Sequence, residues 1–291
     1  MSQPQAQVTP RSVSWRIHGL DIAGLSWGDP GGRPVLALHG WLDNAASYIP
    51  LAPLLTGCHV VALDLTGHGR SDHRSNDASY QIWDDLPEIL GVVDALGWNT
   101  FELIGHSRGA IISTLFAAAY PERVTHLVLI DAVMPGPVAE EDFPRQMRSA
   151  LEDKMSLPSR ESKRINSIET AVEVRIRSGL DEPAARLLAE RNLEPYRGGF
   201  RWSTDPRLKG ASAVKLSPGQ IDAVLSSLSM PTLLLHAAQA TFRAPELMAR
   251  VRRQIPRLTE AEFAGGHHFH MEGDVAAIAA RILAFMDESE D

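Results

Sequence analysis

A single cysteine, Cys58, occurs in 291 residues, which excludes an internal disulfide and with it the disulfide-stapled secreted folds. Positive charge is not in excess either: 28 Lys and Arg stand against 36 Asp and Glu, a formal charge of −8. Without a basic footprint for a phosphate backbone, no nucleic-acid partner is expected. No apolar run approaches the roughly 18 residues that a membrane span needs. The opening Met1-Ser-Gln-Pro-Gln-Ala-Gln7 lacks the charged-then-apolar layout of a secretion signal. Together these absences point to a cytoplasmic protein with no membrane span. What is present is globular: 44% hydrophobic and 22% charged residues in a chain long enough for a large core.

The first 12 residues are polar and read as a mobile tail. Val13 to His18 and Asp21 to Trp27 alternate apolar with polar about Gly19, the pattern of an antiparallel pair. Continuous apolar runs then begin, at 35–38, 60–64, 101–104 and 126–130. Such runs fit strands buried on both faces. Helical spacing fills 80–96 and 108–119, so strand and helix alternate as in a parallel α/β sheet with right-handed crossovers. From Pro135 to Asp222 the texture changes. This stretch holds 15 Lys/Arg and 14 Asp/Glu in 88 residues, about twice the charged fraction elsewhere. Its pieces 143–152, 168–178 and 182–192 are amphipathic, and a helical insertion over the sheet is predicted. The α/β pattern resumes with a strand at 232–235, a helix at 245–254, a strand at 258–263 and a helix at 274–286.

The sharpest chemical signal is Gly105-His106-Ser107-Arg108-Gly109, set between an apolar strand and a helix. A nucleophilic Ser at such a turn presents its Oγ above the sheet, and glycines two positions away on either side avoid clashes. Ser107 needs a base. The loop Gly265-Gly-His-His-Phe-His270 offers three histidines late in the chain; His267 is assigned, with His268 and His270 as alternatives. The orienting carboxylate is assigned to Asp131, at the end of the strand 126–130, because the turn His236-Ala-Ala-Gln-Ala240 holds no acid. Oxyanion donors are expected from the backbone N–H groups of Arg108 and of Trp41, in the loop His39-Gly-Trp. The Trp41 ring could wall an acyl pocket.

Other features carry less. The three histidines are too compressed in sequence for a metal site, so no metal and no cofactor are expected. Gly67-His-Gly-Arg-Ser-Asp72 lacks the spacing of a phosphate loop. His39 reads as a buried scaffold residue, Asp43 and Asn44 as caps of a following helix in preference to lining the site, and Cys58 as an inert thiol.

With His39-Gly-Trp, Asp64 to Asp72, the Ser107 turn and the His267 loop in order, the chain resembles the α/β-hydrolase fold superfamily along nearly its whole length. His39-Gly-Trp-Leu-Asp-Asn-Ala45, Leu96-Gly-Trp-Asn99 and His267-His-Phe-His-Met271 look more specifically like the serine hydrolase-like protein family. The resemblance implies a mostly parallel central sheet with helices on both faces, a core of 1–134 with 223–291, and a helical cap over 135–222. Haloalkane dehalogenases are similar in placing their acid where Asp131 stands, but they use an Asp nucleophile where this chain has Ser107. The implied activity is hydrolysis of a carboxylic ester or related small acyl compound. Two other outcomes remain open: carbon–carbon hydrolysis of a diketone, which would use the cap's Arg160, Arg164, Arg175, Arg177, Arg186, Arg191, Arg197 and Arg201 as anion binders, and ligand binding on a degraded scaffold.

Overall fold

The computed structural model describes residues 9–157, 163–239 and 244–288. Arg11–Ile17 (β1) and Leu20–Trp27 (β2) form an antiparallel hairpin. The expected tail is therefore shorter than predicted, because Arg11 and Ser12 already pair with Ser26 and Leu25; its first eight residues lie outside the described residues. Next come Arg33–Leu38 (β3), Cys58–Leu63 (β4), Leu86–Ala95 (α1), Phe101–His106 (β5), Arg108–Ala119 (α2) and Val124–Ile130 (β6). Helix α1 starts six residues later than its periodicity suggested. Pro87 sits in its first turn, where the missing N–H costs nothing; a helix begun at residue 80 would have carried that ring in its interior.

Between β6 and the next strand of the sheet lie Phe143–Ser156 (α3), Ile168–Arg177 (α4), Glu182–Arg191 (α5), a hairpin of Leu193–Tyr196 (β7) and Gly199–Trp202 (β8), and Pro218–Ser226 (α6). The hairpin was not foreseen. Its signal was short: two four-residue strands about Arg197-Gly198, both at positive φ as the tightest hairpin turns require. The chain ends with Thr232–Ala237 (β9), Pro245–Gln254 (α7), Leu258–Phe263 (β10), Phe269–Glu272 (α8) and Val275–Met286 (α9).

The main sheet has eight strands in the order β1-β2-β4-β3-β5-β6-β9-β10, antiparallel over β1-β2-β4 and parallel from β4 onward. This is the parallel α/β sheet expected from the alternation, in the alpha/beta hydrolase arrangement that the resemblance implied. The apolar strands explain the layers. On one face Leu36, Leu38, Val61 and Leu63 pack with Ile89 and Val92 of α1, Ile112 and Phe116 of α2, and Ile221 and Leu225 of α6. On the other, Val35, Ala37, Val60 and Ala62 pack with Tyr48 and with Ile278, Ile282 and Phe285 of α9. Burying each large apolar side chain contributes about 1.5–3 kcal/mol, which is why the strands read as unbroken apolar runs.

The segment between β6 and β9 has its own small core, in which Ala171, Val172, Leu180, Ala185 and Leu188 pack with Met271. It is fastened to the loops that follow β3 and β4. Asn44 Nδ2 donates to Leu188 O at 2.9 Å, Trp41 Nε1 to Leu208 O at 2.9 Å, and Tyr80 OH to Asp205 Oδ2 at 2.8 Å. The buried guanidinium of Arg191 embraces Asp64, with Nη2 2.7 Å from Oδ2.

Candidate active site

Each chemical group stands at the carboxyl end of a strand, which is where loops of a parallel sheet converge. Ser107 links β5 to α2 at φ 52°, ψ −116°, a left-handed and strained conformation for a residue other than glycine. Its N–H donates to Ile130 O at 3.0 Å. The flanking glycines are required by contact: a Cβ on Gly105 would stand 2.5 Å from Gly109 O, and one on Gly109 would stand 2.1 Å from Leu38 O.

Asp131 follows β6, also at positive φ, with its N–H on Leu235 O at 2.9 Å. One carboxylate oxygen accepts from Ala237 N at 3.0 Å, which fixes the other. That second oxygen lies 2.7 Å from His267 Nδ1, and His267 Nε2 lies 2.8 Å from Ser107 Oγ. The structure thus brings Ser107, His267 and Asp131 into one hydrogen-bonded line. The two alternative histidines are engaged elsewhere: His268 Nε2 bonds Asp43 Oδ2 at 3.0 Å, and His270 is fully buried beside Tyr48. Of the turn that held no acid, residues 236–239 lie at and beyond the end of β9, and Ala240 falls outside the described residues.

Arg108 follows Ser107 directly, and Trp41 lies in the loop after β3. Arg108 is the first residue of α2, a position whose backbone N–H has no acceptor within the helix. Its side chain turns away toward Gln81 O and Asp85, and burial lowers its pKa. Trp41 lines the cavity with its ring half exposed. His39 is scaffold, as expected: fully buried and pushed toward neutrality by burial, it donates from Nδ1 to Gly40 O and accepts the Leu65 N–H at Nε2. Cys58 is buried, and burial raises its pKa, which suits an inert thiol.

Asp43 and Asn44 divide the two roles that the sequence offered them. Asn44 alone caps the following turn, accepting from Ala46 N; Asp43 is buried and faces the cavity. Burial works against its charge, but the hydrogen bond and charge of His268, then Arg175 and His106, hold its carboxyl far below the usual carboxylate range. Arg175 of α4 pairs with its other oxygen. His106, inside the motif, was also overlooked. Its Nε2 donates to the carbonyl of His267 at 2.9 Å and so steadies the loop carrying that ring, while burial followed by the neighbouring His270, His268 and His267 lowers its pKa well below the ordinary value. Adjacency to Ser107 was the only signal in sequence for His106, and Arg175, named among the cap's arginines as an anion binder, is instead the partner of Asp43.

These groups open on a cavity of about 510 Å³, walled mainly by Val133, Met134, Leu180, Leu234, Leu247, Met248 and Val251. Among the described arginines singled out as anion binders, Arg175 lines it and is already committed to Asp43. Arg177, Arg186 and Arg201 pair with Glu173, Glu182 and Glu194, Arg191 pairs with Asp64, Arg164 bonds Asn166, and Arg197 stacks on Tyr196; Arg160 lies outside the described residues. Among the described residues, no helix is long and apolar enough to cross a membrane.

Residues 33–274 match the family described as alpha/beta hydrolase fold. A serine hydrolase-like protein of Dictyostelium discoideum is 30% identical over 94% of this chain and 80% of its own length. The crystal structure of a hypothetical protein from Pseudomonas aeruginosa superposes with a TM-score of 0.89 at 39% identity, covering 94% of this chain and 98% of that one. A thioesterase domain from the curacin biosynthetic pathway gives a TM-score of 0.84 at 28% identity, covering 94% and 99%.

Proposed function

The chain belongs to the alpha/beta hydrolase fold family, and from that premise we propose that it is a serine hydrolase cleaving a carboxylic ester, or the related thioester, of a small apolar acyl compound. The observation that carries this reading is the hydrogen-bonded line from Asp131 through His267 to Ser107, ending beside an apolar cavity. Ser107 Oγ attacks the acyl carbonyl while His267 Nε2 takes its proton. Asp131 holds His267 in the tautomer protonated at Nδ1 and stabilises the imidazolium that forms. The tetrahedral oxyanion is held by the N–H groups of Arg108 and Trp41, each worth about 2.7–4 kcal/mol in comparable sites. His267 then returns the proton to the departing alcohol or thiol. Water, deprotonated by the same ring, releases the acid from Ser107.

Residues 135–222 act as a cap whose α4, with Ser178 and Leu180 after it, walls the site, with α6 anchored in the main core through Ile221 and Leu225. The name of the thioesterase relative and the apolar walls both favour acyl transfer over opening of an anionic diketone, since Arg175, the arginine that lines the cavity among the described residues, is neutralised by Asp43. The test is labelling by a fluorophosphonate probe together with turnover of p-nitrophenyl esters. Wild-type protein should be labelled and turn over, and Ser107→Ala should do neither. A folded wild type that does neither would sink the reading.

A further inference from the structure

We propose that Asp43, His106 and His268 form a binding site for one divalent transition-metal ion of the zinc class at the wall of the cavity beside Ser107. The three side chains come from the loop after β3, the last residue of β5 and the loop before α8, and their ligand atoms all lie within 4.8 Å of one another. His106 Nε2 must carry a hydrogen, because its partner, the His267 carbonyl, can only accept. Nδ1 of this fully buried neutral ring is then a bare lone pair, and it has no hydrogen-bond partner among the described residues. Across from it, 3.9 Å away, is Asp43 Oδ2, a second acceptor. Asp43 Oδ2 already accepts from His268 Nε2, so the unpartnered group is the lone pair of His106 Nδ1, and a cation seated between the two satisfies it.

Geometry fits that cation. Ligand bonds of about 2.0–2.2 Å in a tetrahedron place donor atoms roughly 3.4 Å apart. Asp43 Oδ2 is 3.9 Å from His106 Nδ1 and 3.0 Å from His268 Nε2, so sub-ångström shifts bring the set to that spacing. The ion replaces the proton that His268 now shares with Asp43. Glycine at position 40 keeps the place open: a Cβ there would stand 2.9 Å from His106 Nδ1 and 3.0 Å from Asp43 Oδ2. Two imidazole nitrogens and one carboxylate select a zinc-class ion over Mg²⁺ or Ca²⁺. The fourth position takes water or an anionic ligand from the cavity. Arg175, on the other carboxylate oxygen, opposes the added positive charge and weakens binding. On the serine-hydrolase reading, an ion here also disfavours the imidazolium of His267 and slows turnover, but binding is testable without that reading.

Chelator-stripped protein is titrated with Zn²⁺ against a chromophoric chelator, and with Co²⁺ while its visible absorption is followed. One equivalent should bind, with the intense visible bands of four-coordinate Co²⁺. His268→Ala and Asp43→Asn should each weaken binding at least about tenfold, and Arg175→Ala should strengthen it. A tenfold excess of Mg²⁺ should not compete. Circular dichroism establishes that each variant is folded, and His268→Ala, at a partly exposed position, serves if Asp43→Asn is not. Absence of binding by wild-type protein at micromolar Zn²⁺, or equal binding by wild type and His268→Ala, would overturn the proposal.

Discussion

Asp131 and His267 lie 136 residues apart in the chain, and Asp131 Oδ2 meets His267 Nδ1 at 2.7 Å. The other carboxylate oxygen, held by Ala237 N, makes the side chain a fixed acceptor. Asp131→Asn keeps that second contact, so the fold should survive, with a melting temperature near wild type. The amide can nevertheless donate to Nδ1 and leave His267 in the wrong tautomer. A fall in kcat on the order of 10⁴-fold is expected for a p-nitrophenyl ester. Unchanged kcat would remove Asp131 from the mechanism.

Much of this arrangement was legible in the sequence because its causes are local. Apolar runs gave the parallel strands, since a strand buried on both faces admits little else, and the glycines about Ser107 announced a turn whose backbone leaves no room for a Cβ. The acid was placed by elimination together with the end of β6. What escaped was set by tertiary contact. Asp43 looked like a cap because Asn44 beside it is one; only the return of α4 and of the 265–270 loop puts Arg175 and His268 on its two oxygens. The hairpin of β7 and β8 escaped because four-residue strands are too short for alternation to register.

Gly109 tests the close contact under α2. Its Cβ would meet the carbonyl oxygens of Leu38 and His39 at 2.1 and 2.6 Å, backbone atoms that cannot rotate away. Gly109→Ala should destabilise by about 3 kcal/mol, the upper end for overpacking. The midpoint of urea unfolding reads this directly, and a shift within error of wild type would contradict the contact.

Arg191 and Asp64 fasten α5 to the loop after β4 from buried positions. Arg191→Met strips Asp64 of its countercharge but leaves it the N–H groups of Ala45 and Arg70. A loss of about 3 kcal/mol is expected, at the low end for a broken buried pair. Adding Asp64→Asn to that background should recover part of it. Additive losses in the double-mutant cycle would show that the two groups do not interact.

Part of the acid sensitivity should trace to His68, one of several histidines, His39, His106 and His270 among them, that burial pushes the same way. The His68 ring is buried, with Nδ1 donating to Thr66 O, and burial, then His39 and Arg108, push its pKa well below the ordinary 6.5. The unfolded chain therefore binds a proton that the folded one refuses. Stability is unaffected above about pH 6.5 and declines as pH falls below it, by at most about 1.4 kcal/mol per pH unit for this one group. His68→Asn keeps a donor for Thr66 O and cannot titrate, so it should lessen the slope between pH 6.5 and 4.5 without abolishing it. Chemical denaturation across that range is the measurement; a slope as steep as wild type would exclude His68 as a contributor.

Substrate length is set by the cavity walls. Val133, Met134, Leu234, Leu247, Met248 and Val251 offer apolar contact and no buried charge, so each methylene added to the acyl chain should gain about 0.8 kcal/mol of transfer free energy. If the transition state realises that gain in full, kcat/KM rises about fourfold per methylene until the cavity is filled. Met248→Trp occupies part of the same volume. It should leave acetate esters nearly unaffected and cut octanoate esters by more than tenfold, a split that general damage to Ser107 or His267 would not produce because both substrates share those groups. Equal losses on acetate and octanoate would place the acyl chain elsewhere.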